Sequence, residues 1–255
     1  MSSGIISKLV FIQIFWYMKC SRFSVIFIAL IHFCASAFTQ NAGVSFHNIN
    51  DLFGISIRET SSVRTDNNGF VWVSSKTGIL RLTDDDYRVY KLPYQTSDVI
   101  NVRLVFSEST LYAVSNNGQV FRYNEVFDRF DFLIHLGVSL NFTYLYIANV
   151  IVEPNGKLWF STNIGLLYYE EENAYGLIET GELSAITFLD ESRLLVASMD
   201  KLMIYNIKTE QQEAVLFDFP VRSFRISTLF FDKALQTLLI GTESDGLFVY
   251  NLQTK

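Results

Sequence analysis

Residues 154–167 read PNGKLWFSTNIGLL, and this stretch decides how the rest of the chain is interpreted. Asn155 and Gly156 favour a tight hairpin turn, because both residue types adopt positive φ angles at low cost. The apolar run 158–160 then predicts a strand, and Gly165 marks the next turn. The stretch therefore predicts a short antiparallel unit, which could occur once or build the whole chain.

Four other stretches of the chain share this pattern, so the unit is an internal repeat. The five copies are VRTDNNGFVWVSSKTGILRL (63–82), VRLVFSESTLYAVSNNGQVFRY (102–123), VIVEPNGKLWFSTNIGLLYY (150–169), AITFLDESRLLVASMDKLMIY (185–205) and TLFFDKALQTLLIGTESDGLFVY (228–250). In each copy, a short apolar strand meets a polar turn, and a second strand and a second turn lead to a third strand.

Each repeat has a large apolar residue at its centre, which we call its anchor. The anchors are Trp72, Tyr112, Trp159, Leu195 and Leu239. They are separated by 40, 47, 36 and 44 residues, about 42 on average. A glycine follows six residues after the first three anchors and seven after the last: Gly78, Gly118, Gly165 and Gly246. The fourth repeat has Asp200 and Lys201 in that place, so it matches the pattern least well.

A further apolar and aromatic run follows the third strand, as in residues 87–92 and 127–133. Four short strands in about 42 residues are typical of a β-propeller blade. The chain is therefore predicted to be all-β, a β-propeller of about five recognisable blades. The predicted blades are 62–95, 101–135, 149–180, 184–218 and 227–255, after a leader or edge strand at 38–61. We expect the anchors to pack between blades rather than to bind a ligand.

The N-terminus has the features of an export signal. Residues 18–37 combine a short basic region, Lys19 and Arg22, an apolar region and the small-residue sequence Ala-Ser-Ala before Phe38. Residues 1–17 are interpreted as an extension upstream of the true start, at Met18. The alternative is an uncleaved helical signal anchor. Whether the signal is cleaved or remains as an anchor, we expect the rest of the protein to be periplasmic.

Charge and cysteine content exclude several classes of function. The net charge is −6, and the body after residue 37 has 17 basic against 26 acidic residues. Such an acidic body is unsuited to nucleic acid, whose binding requires a basic surface. Both cysteines, Cys20 and Cys34, lie in the N-terminal segment, so cleavage would remove thiolate chemistry from the mature protein.

The repeats NNGFVWVSSKTGILRL and PNGKLWFSTNIGLLYY resemble the regulator-propeller repeat, whose pattern is roughly D-x-x-G-x-(L/I)-W-(I/V)-x-T-x-x-G-(L/I)-x-x-(Y/F). This family forms the periplasmic sensor domain of hybrid two-component system proteins of Bacteroidetes. The resemblance covers residues 45–255 and is strongest in the first and third repeats. The other repeats depart from it, since Tyr112, Leu195 and Leu239 replace its tryptophan.

The resemblance implies an export signal, two seven-bladed propellers, a β-sandwich, a membrane helix, a histidine kinase and a DNA-binding response regulator. It also implies a sensor of glycan fragments. Because this chain is too short for that plan, the resemblance implies a propeller that is incomplete relative to a seven-bladed ring. We therefore expect a truncated gene product or an N-terminal fragment of a longer sensor, with a complete five-bladed ring as the alternative. The expected partners are an oligosaccharide, the remaining blades and the membrane and kinase domains, with a homodimer left open.

The sequence contains few residues that could carry chemistry. His47 and His135 are isolated and are interpreted as packing or surface residues. The acidic runs 84–86 and 170–172 are interpreted as solvated loops, with calcium as the alternative for the first. The spacing of Asp66 and Gly69 does not match the Asp-box of sialidases. We therefore predict no catalytic, cofactor or metal residues, and no ligand-binding residue can be assigned.

Three functions remain from the sequence. The first is a non-catalytic, extracytoplasmic ligand-sensing segment of a hybrid two-component protein. The second is a stand-alone exported propeller that serves as a protein-interaction platform. The third, an extracytoplasmic glycosidase or lyase, would need two carboxylates in one pocket, which the spacing of the residues does not indicate.

Overall fold

The computed structural model describes residues 48–255 except 77, 84, 85, 97, 100, 109, 171–173, 179, 180, 199, 200, 219–224 and 253–255. The predicted extension, the export signal and His47 lie outside the described residues. The chain divides into two compact units, Met1–Leu52 and Phe53–Lys255, and the repeats lie in the second. Neither helix in the described part has the length and apolar character needed to span a membrane.

The repeats fold into five antiparallel sheets. Sheet 1 contains β1 (Ser62–Thr65), β2 (Val71–Ser75), β3 (Gly78–Leu82) and β4 (Tyr87–Tyr90). Sheet 2 contains β5 (Val102–Phe106), β6 (Leu111–Ser115), β7 (Gln119–Asn124) and β8 (Arg129–His135). Sheet 3 contains β9 (Ile147–Val152), β10 (Leu158–Thr162), β11 (Leu166–Glu170) and β12 (Ala174–Ile178).

Sheet 4 contains β13 (Ala185–Phe188), β14 (Arg193–Ala197), β15 (Lys201–Asn206) and β16 (Gln211–Asp218). Sheet 5 contains β17 (Ile226–Asp232), β18 (Thr237–Thr242) and β19 (Leu247–Asn251), so its described part has three strands. Two short helices accompany the sheets: α1 (Ile49–Phe53) in the leader segment and α2 (Leu136–Ser139) directly after β8. The described part of the leader, 48–61, therefore contains a helix and no strand.

The arrangement of the sheets is that of a five-bladed β-propeller, which confirms the predicted fold class. Strands follow chain order within each sheet, and successive first strands (β1 and β5, β5 and β9, β9 and β13, β13 and β17) lie side by side. Each sheet therefore packs face to face on the next, and the interfaces between sheets form the hydrophobic core.

The anchors of the first four sheets face the following sheet. Trp72 is 2% exposed and packs against Tyr123 and Phe130 of sheet 2. Tyr112 lies in the interface with sheet 3, and Trp159 in the interface with sheet 4. Leu195 packs between sheets 4 and 5. Leu239, on sheet 5, is half-buried and pairs with the exposed residues Phe230 and Val249 across that sheet.

Two ends of the sheets can be distinguished. The hairpin end carries the turns between first and second strands, such as 66–70 and 153–157. The connection end carries the turns between second and third strands, such as 116–118, and the segments between sheets, 91–101 and 136–146. Backbone hydrogen bonds join Asn116 to Asn101 and to Ile147, so a turn of sheet 2 fastens the segments on both sides of it.

At the hairpin end, an acidic side chain closes the turn and holds the anchor of its own repeat. Asp66 accepts hydrogen bonds from the backbone N–H groups of Asn68 and Phe70, both at 2.9 Å, and from Trp72 Nε1 at 2.8 Å. Trp159 Nε1 likewise donates to Glu153 Oε1 at 2.6 Å. A buried indole N–H needs such a partner, so this acid lets a tryptophan serve as anchor.

At the connection end, a hydroxyl closes the turn after the second strand. Thr162 Oγ1 donates to the carbonyl of Gly165 at 2.7 Å, and Ser75 Oγ donates to that of Gly78 at 3.1 Å. Gly78 has a φ of 135°, and a Cβ there would lie 2.6 Å from the Tyr90 carbonyl oxygen. The glycine after the anchor is therefore required by the backbone rather than by a ligand.

Candidate functional site

An open cleft lies at the connection end, where sheets 2 and 3 meet. It consists of two cavities of about 460 and 570 Å³ that share Thr96, His135 and Val138 in their linings. The segments before β5 and after β8 supply most of the lining residues. These segments differ from one repeat to the next, so the cleft is a feature of this part of the propeller rather than of every blade.

Polar side chains beside the cleft form one hydrogen-bond network. The Asn117 amide nitrogen donates to Thr96 Oγ1 at 2.9 Å and to Asp98 Oδ1 at 2.8 Å. The Gln119 amide nitrogen donates to Thr96 Oγ1 at 3.1 Å and to Asn117 Oδ1 at 3.2 Å. The Gln119 side-chain oxygen, Oε1, accepts a hydrogen bond from the Gln95 backbone N–H at 2.6 Å. Gln119 is 0% exposed, and this network fixes Gln95, Thr96 and Asp98 against sheet 2.

His135 lies at the end of β8 and lines both cavities. Burial lowers the pKa of His135 below its ordinary value, while the Asp98 carboxylate acts in the opposite direction. The imidazole is therefore neutral at pH 7. Its buried Nδ1 has no hydrogen-bond partner within the described residues, so an unsatisfied polar atom lies directly behind the wall of the cleft.

Asp98 stays ionised beside this imidazole. The pKa of Asp98 is lowered by hydrogen bonds to its carboxylate from Thr96, from the Asp98 backbone N–H and from Asn117. The Asp98 side chain is exposed at the rim of the cleft. The cleft thus presents a carboxylate acceptor, amide groups and a neutral imidazole within one small region.

Aromatic side chains form the other wall of the cleft. Phe142, Tyr144 and Tyr146 line the smaller cavity and Tyr175 lines the larger one. Tyr144 is 70% exposed. Exposed aromatic rings beside fixed polar groups suit a ligand that has both apolar faces and hydroxyl groups.

The cleft fits binding better than hydrolysis. Asp98 is the single carboxylate among the described residues that line the two cavities, whereas glycoside hydrolysis typically uses a pair of carboxyl groups. Over the described part of the chain, no three His, Cys, Asp or Glu side chains come close enough to hold a metal ion. The residues of the cleft can form hydrogen bonds to a ligand and can stack on its rings.

The structure places the sequence-predicted repeat residues away from this cleft, with one exception. Gly118 belongs to the turn beside it, and a Cβ there would lie 2.8 Å from Leu145, a lining residue. The remaining anchors and glycines belong to the sheet interfaces and turns: Trp72, Gly78, Tyr112, Trp159, Gly165, Leu195, Leu239 and Gly246.

The other candidates from the sequence are not brought together into a site. Asp86 and Glu170 are exposed, and the rest of the two acidic runs lies outside the described residues. Asp66 accepts hydrogen bonds within its own turn and from Trp72 Nε1.

Sequence reasoning missed the polar network, although the repeats contain a signal for it. The residue after the turn glycine is apolar in other repeats, as with Ile79, Leu166 and Leu247. The second repeat has Gln119 there, and the side chain is buried. A polar residue at a buried repeat position indicates a local requirement beyond packing.

No protein-family model and no curated protein matches this sequence. Solved structures match its fold. The extracellular domain of BT3049 of B. thetaiotaomicron, assigned to the hybrid two-component systems, gives a TM-score of 0.58 at 16% identity, covering 78% of this chain and 29% of that one. The extracellular domain of BT4673 of B. thetaiotaomicron, with the same assignment, gives 0.51 at 17% identity, covering 80% and 33%.

PorZ, a surface component of the type-IX secretion system of Porphyromonas gingivalis, gives a TM-score of 0.56 at 12% identity, covering 80% of this chain and 34% of that one. This chain spans about a third of the length of each of these proteins. At such low identity the likeness concerns the fold. The propeller of this chain is thus similar to those of two-component ectodomains, as the repeats implied.

Proposed function

We propose that this chain is the ligand-sensing propeller segment of an exported two-component regulator, non-catalytic in itself, and that its ligand binds in the cleft between sheets 2 and 3. The observation that carries the proposal is the cleft, where a fixed amide network faces aromatic rings. The fold likeness to extracellular domains and the predicted export signal support it.

The ligand class we propose is an oligosaccharide. Sugar rings present apolar faces that stack on rings such as Tyr144, and hydroxyl groups that can donate to the exposed Asp98 carboxylate at the rim. A bound ligand would link the two segments that join sheet 2 to its neighbours, since Asp98 lies on one and Tyr144 on the other. Further domains would then respond to the change in the relative populations of two conformations.

A panel of oligosaccharides titrated into the full 255-residue chain by calorimetry tests this proposal. We expect at least one to bind, and Tyr144→Ala to weaken that binding about tenfold, because a stacking surface is lost. Phe127→Ala, which removes an exposed aromatic ring at the hairpin end, is the matched control and should leave the binding affinity unchanged. Binding that Tyr144→Ala leaves intact would place the ligand elsewhere, and release of new reducing ends would assign an enzyme instead.

The second candidate function is a protein-interaction platform. It is favoured by the exposed apolar side chains Phe230, Leu247 and Val249, which lie around Leu239 on the outer face of sheet 5. Patches of this kind often mark interaction surfaces. Light scattering of the full chain over a range of concentrations, with Val249→Ser for comparison, tests whether a second copy binds there.

A further inference from the structure

A separate polar pocket lies at the connection end, where the first strands of sheets 1 and 2 begin. It has a volume of about 280 Å³ and is lined by Glu59, Thr60, Ser61, Asn101 and Arg103. Residues 59–61 lead into β1, Asn101 precedes β5, and Arg103 is the second residue of β5. Two backbone segments of different sheets therefore bring these side chains together.

The pocket is rich in unused hydrogen-bond donors. Among the described residues, the Arg103 guanidinium has no hydrogen bond and no carboxylate within 4 Å. The side chains of Thr60, Ser61 and Asn101 also make no hydrogen bond there. The backbone N–H groups of Ser61 and Asn101 are satisfied, by the Ser74 carbonyl and Asn116 Oδ1, so the free groups are all side-chain groups.

The one acid in the lining is already neutralised. Lys76 Nζ lies 3.2 Å from Glu59 Oε2 and 3.3 Å from Glu59 Oε1, so the Glu59 carboxylate has its own cation. The charge that remains in the pocket is that of Arg103.

The surroundings of Arg103 disfavour its positive charge. Burial lowers the pKa of Arg103, the positive charge of Arg64 acts in the same direction, and Tyr146 acts in the opposite one. A guanidinium that has lost part of its hydration without gaining a counter-charge is unfavourable by itself. An anion that entered the pocket would relieve this cost.

We propose that this pocket binds an oxyanion, a carboxylate or a sulfate group. The planar guanidinium of Arg103 matches two oxygens of such a group, and the Asn101 amide and the hydroxyls of Thr60 and Ser61 supply further donors. The pocket does not include the residues of the cleft, so this inference stands independently of the oligosaccharide proposal.

Titration of sodium sulfate and of sodium glucuronate into the full chain, with ionic strength held constant by chloride, tests this inference. We expect saturable binding of at least one of the two, weakened about tenfold or more in Arg103→Gln, because hydrogen bonds to a charged group are lost. Arg103→Lys keeps the positive charge but loses the planar guanidinium that can bind two oxygens at once. This variant should bind the anion more weakly than wild type and more tightly than Arg103→Gln. Lys233→Gln, which removes an exposed cation on sheet 5, is the charge control and should change binding less than about twofold.

Thr60→Val is the second test, because this exposed side chain can change without disturbing the core. It should weaken binding severalfold while the circular dichroism spectrum stays the same. Tyr144→Ala, in the aromatic wall of the cleft, should leave sulfate binding unchanged, so a failure of the cleft proposal is distinguishable from a failure of this one. Absence of saturable binding of both anions, or equal binding by wild type and Arg103→Gln, would overturn the assignment.

Discussion

At the hairpin end of the sheets, Asp66 and Glu153 each bind the indole of the anchor in their own repeat. At the connection end, Asn117 and Gln119 bind segment 95–98, which lies outside the repeat pattern and borders an open cleft. Both ends use polar side chains that are partly or fully buried. The difference is that the first set stabilises a repeated unit, whereas the second shapes a surface that occurs where sheets 2 and 3 meet. In this protein, the repeated turn acids therefore stabilise the blades, whereas the polar residues that break the repeat border the cleft.

The largest effect should come from removing an anchor. Trp159→Ala should lower the free energy of unfolding by about 3–5 kcal/mol, because a large cavity opens between sheets 3 and 4. Urea unfolding measures this. Phe127→Ala, which removes an exposed aromatic, should stay within about 0.5 kcal/mol of wild type. Similar losses in the two variants would contradict the assignment of Trp159 to the core.

Removing the acid that binds an anchor should have the next largest effect. Glu153→Ala leaves the buried Trp159 Nε1 without its acceptor, which should cost about 1–3 kcal/mol in urea unfolding. Glu153→Gln keeps an acceptor oxygen and should cost less. Glu191→Ala, an exposed acid in a turn of sheet 4, is the control and should be nearly neutral. If Glu191→Ala costs as much as Glu153→Ala, the acid has no special role at the anchor.

At the connection end we expect a smaller and more local effect. Asn117→Ala should cost about 1 kcal/mol, because its hydrogen bonds hold a surface segment rather than a sheet interface. Hydrogen exchange should become faster in peptides covering 91–101. Asn68→Ala, in an exposed turn at the hairpin end, should leave exchange in that segment unchanged. Faster exchange across all five sheets in Asn117→Ala would show that the network is global rather than local.

The smallest effect concerns the turn acid of sheet 4, which binds an arginine instead of an anchor. Burial raises the pKa of Asp190, but hydrogen bonds from Arg193 and Ser192 outweigh it and lower the pKa from 3.8 to about 2. Because the folded value is depressed, its stabilising contribution is present above pH 3.8 and is lost as the pH falls towards 2. The side chains are more than a third exposed, so screening reduces the contribution to about 0.5 kcal/mol.

Urea unfolding of wild type and Asp190→Asn at several pH values checks this last prediction. The difference between the two should be present at pH 6 and should shrink between pH 4 and pH 2. A difference that is constant over this range would mean that Asp190 is not ionised in the folded state in the way described.

Much of the fold could be predicted because its determinants are local and repeated. Asn155-Gly156 selects a hairpin turn by its own backbone preference, and Trp159 marks a buried position by its size. Five copies of this pattern make a propeller recognisable even where Leu195 or Leu239 replaces the aromatic anchor. The three strands of the fifth repeat were also predicted, and sheet 5 has them, whereas the short helix at Ile49–Phe53 was not, because it lies before the first repeat, where there is no repeated pattern to align.

The cleft could be predicted only in part. Gln119 departs from the repeat at a buried position, which is visible in the sequence. Its hydrogen bonds with Thr96 and with the Gln95 N–H are not visible there, because the segment between sheets 1 and 2 has no repeating pattern to align. His135 was interpreted as a packing or surface residue, since one histidine carries no spacing information, yet it lines both cavities.

The sequence by itself determined the strands, the turns and the type of packing, because each depends on side-chain size, alternation and φ preference over a few neighbouring residues. Only the tertiary structure decided which connection-end side chains meet. Thr96 and Asn117, 21 residues apart, become partners because the turn and the segment between sheets lie at the same end of sheet 2. Arg103 and Thr60 share a pocket for a related reason, since the first strands of neighbouring sheets lie side by side. Stacking brings such residues together, and no short pattern along the chain encodes that contact.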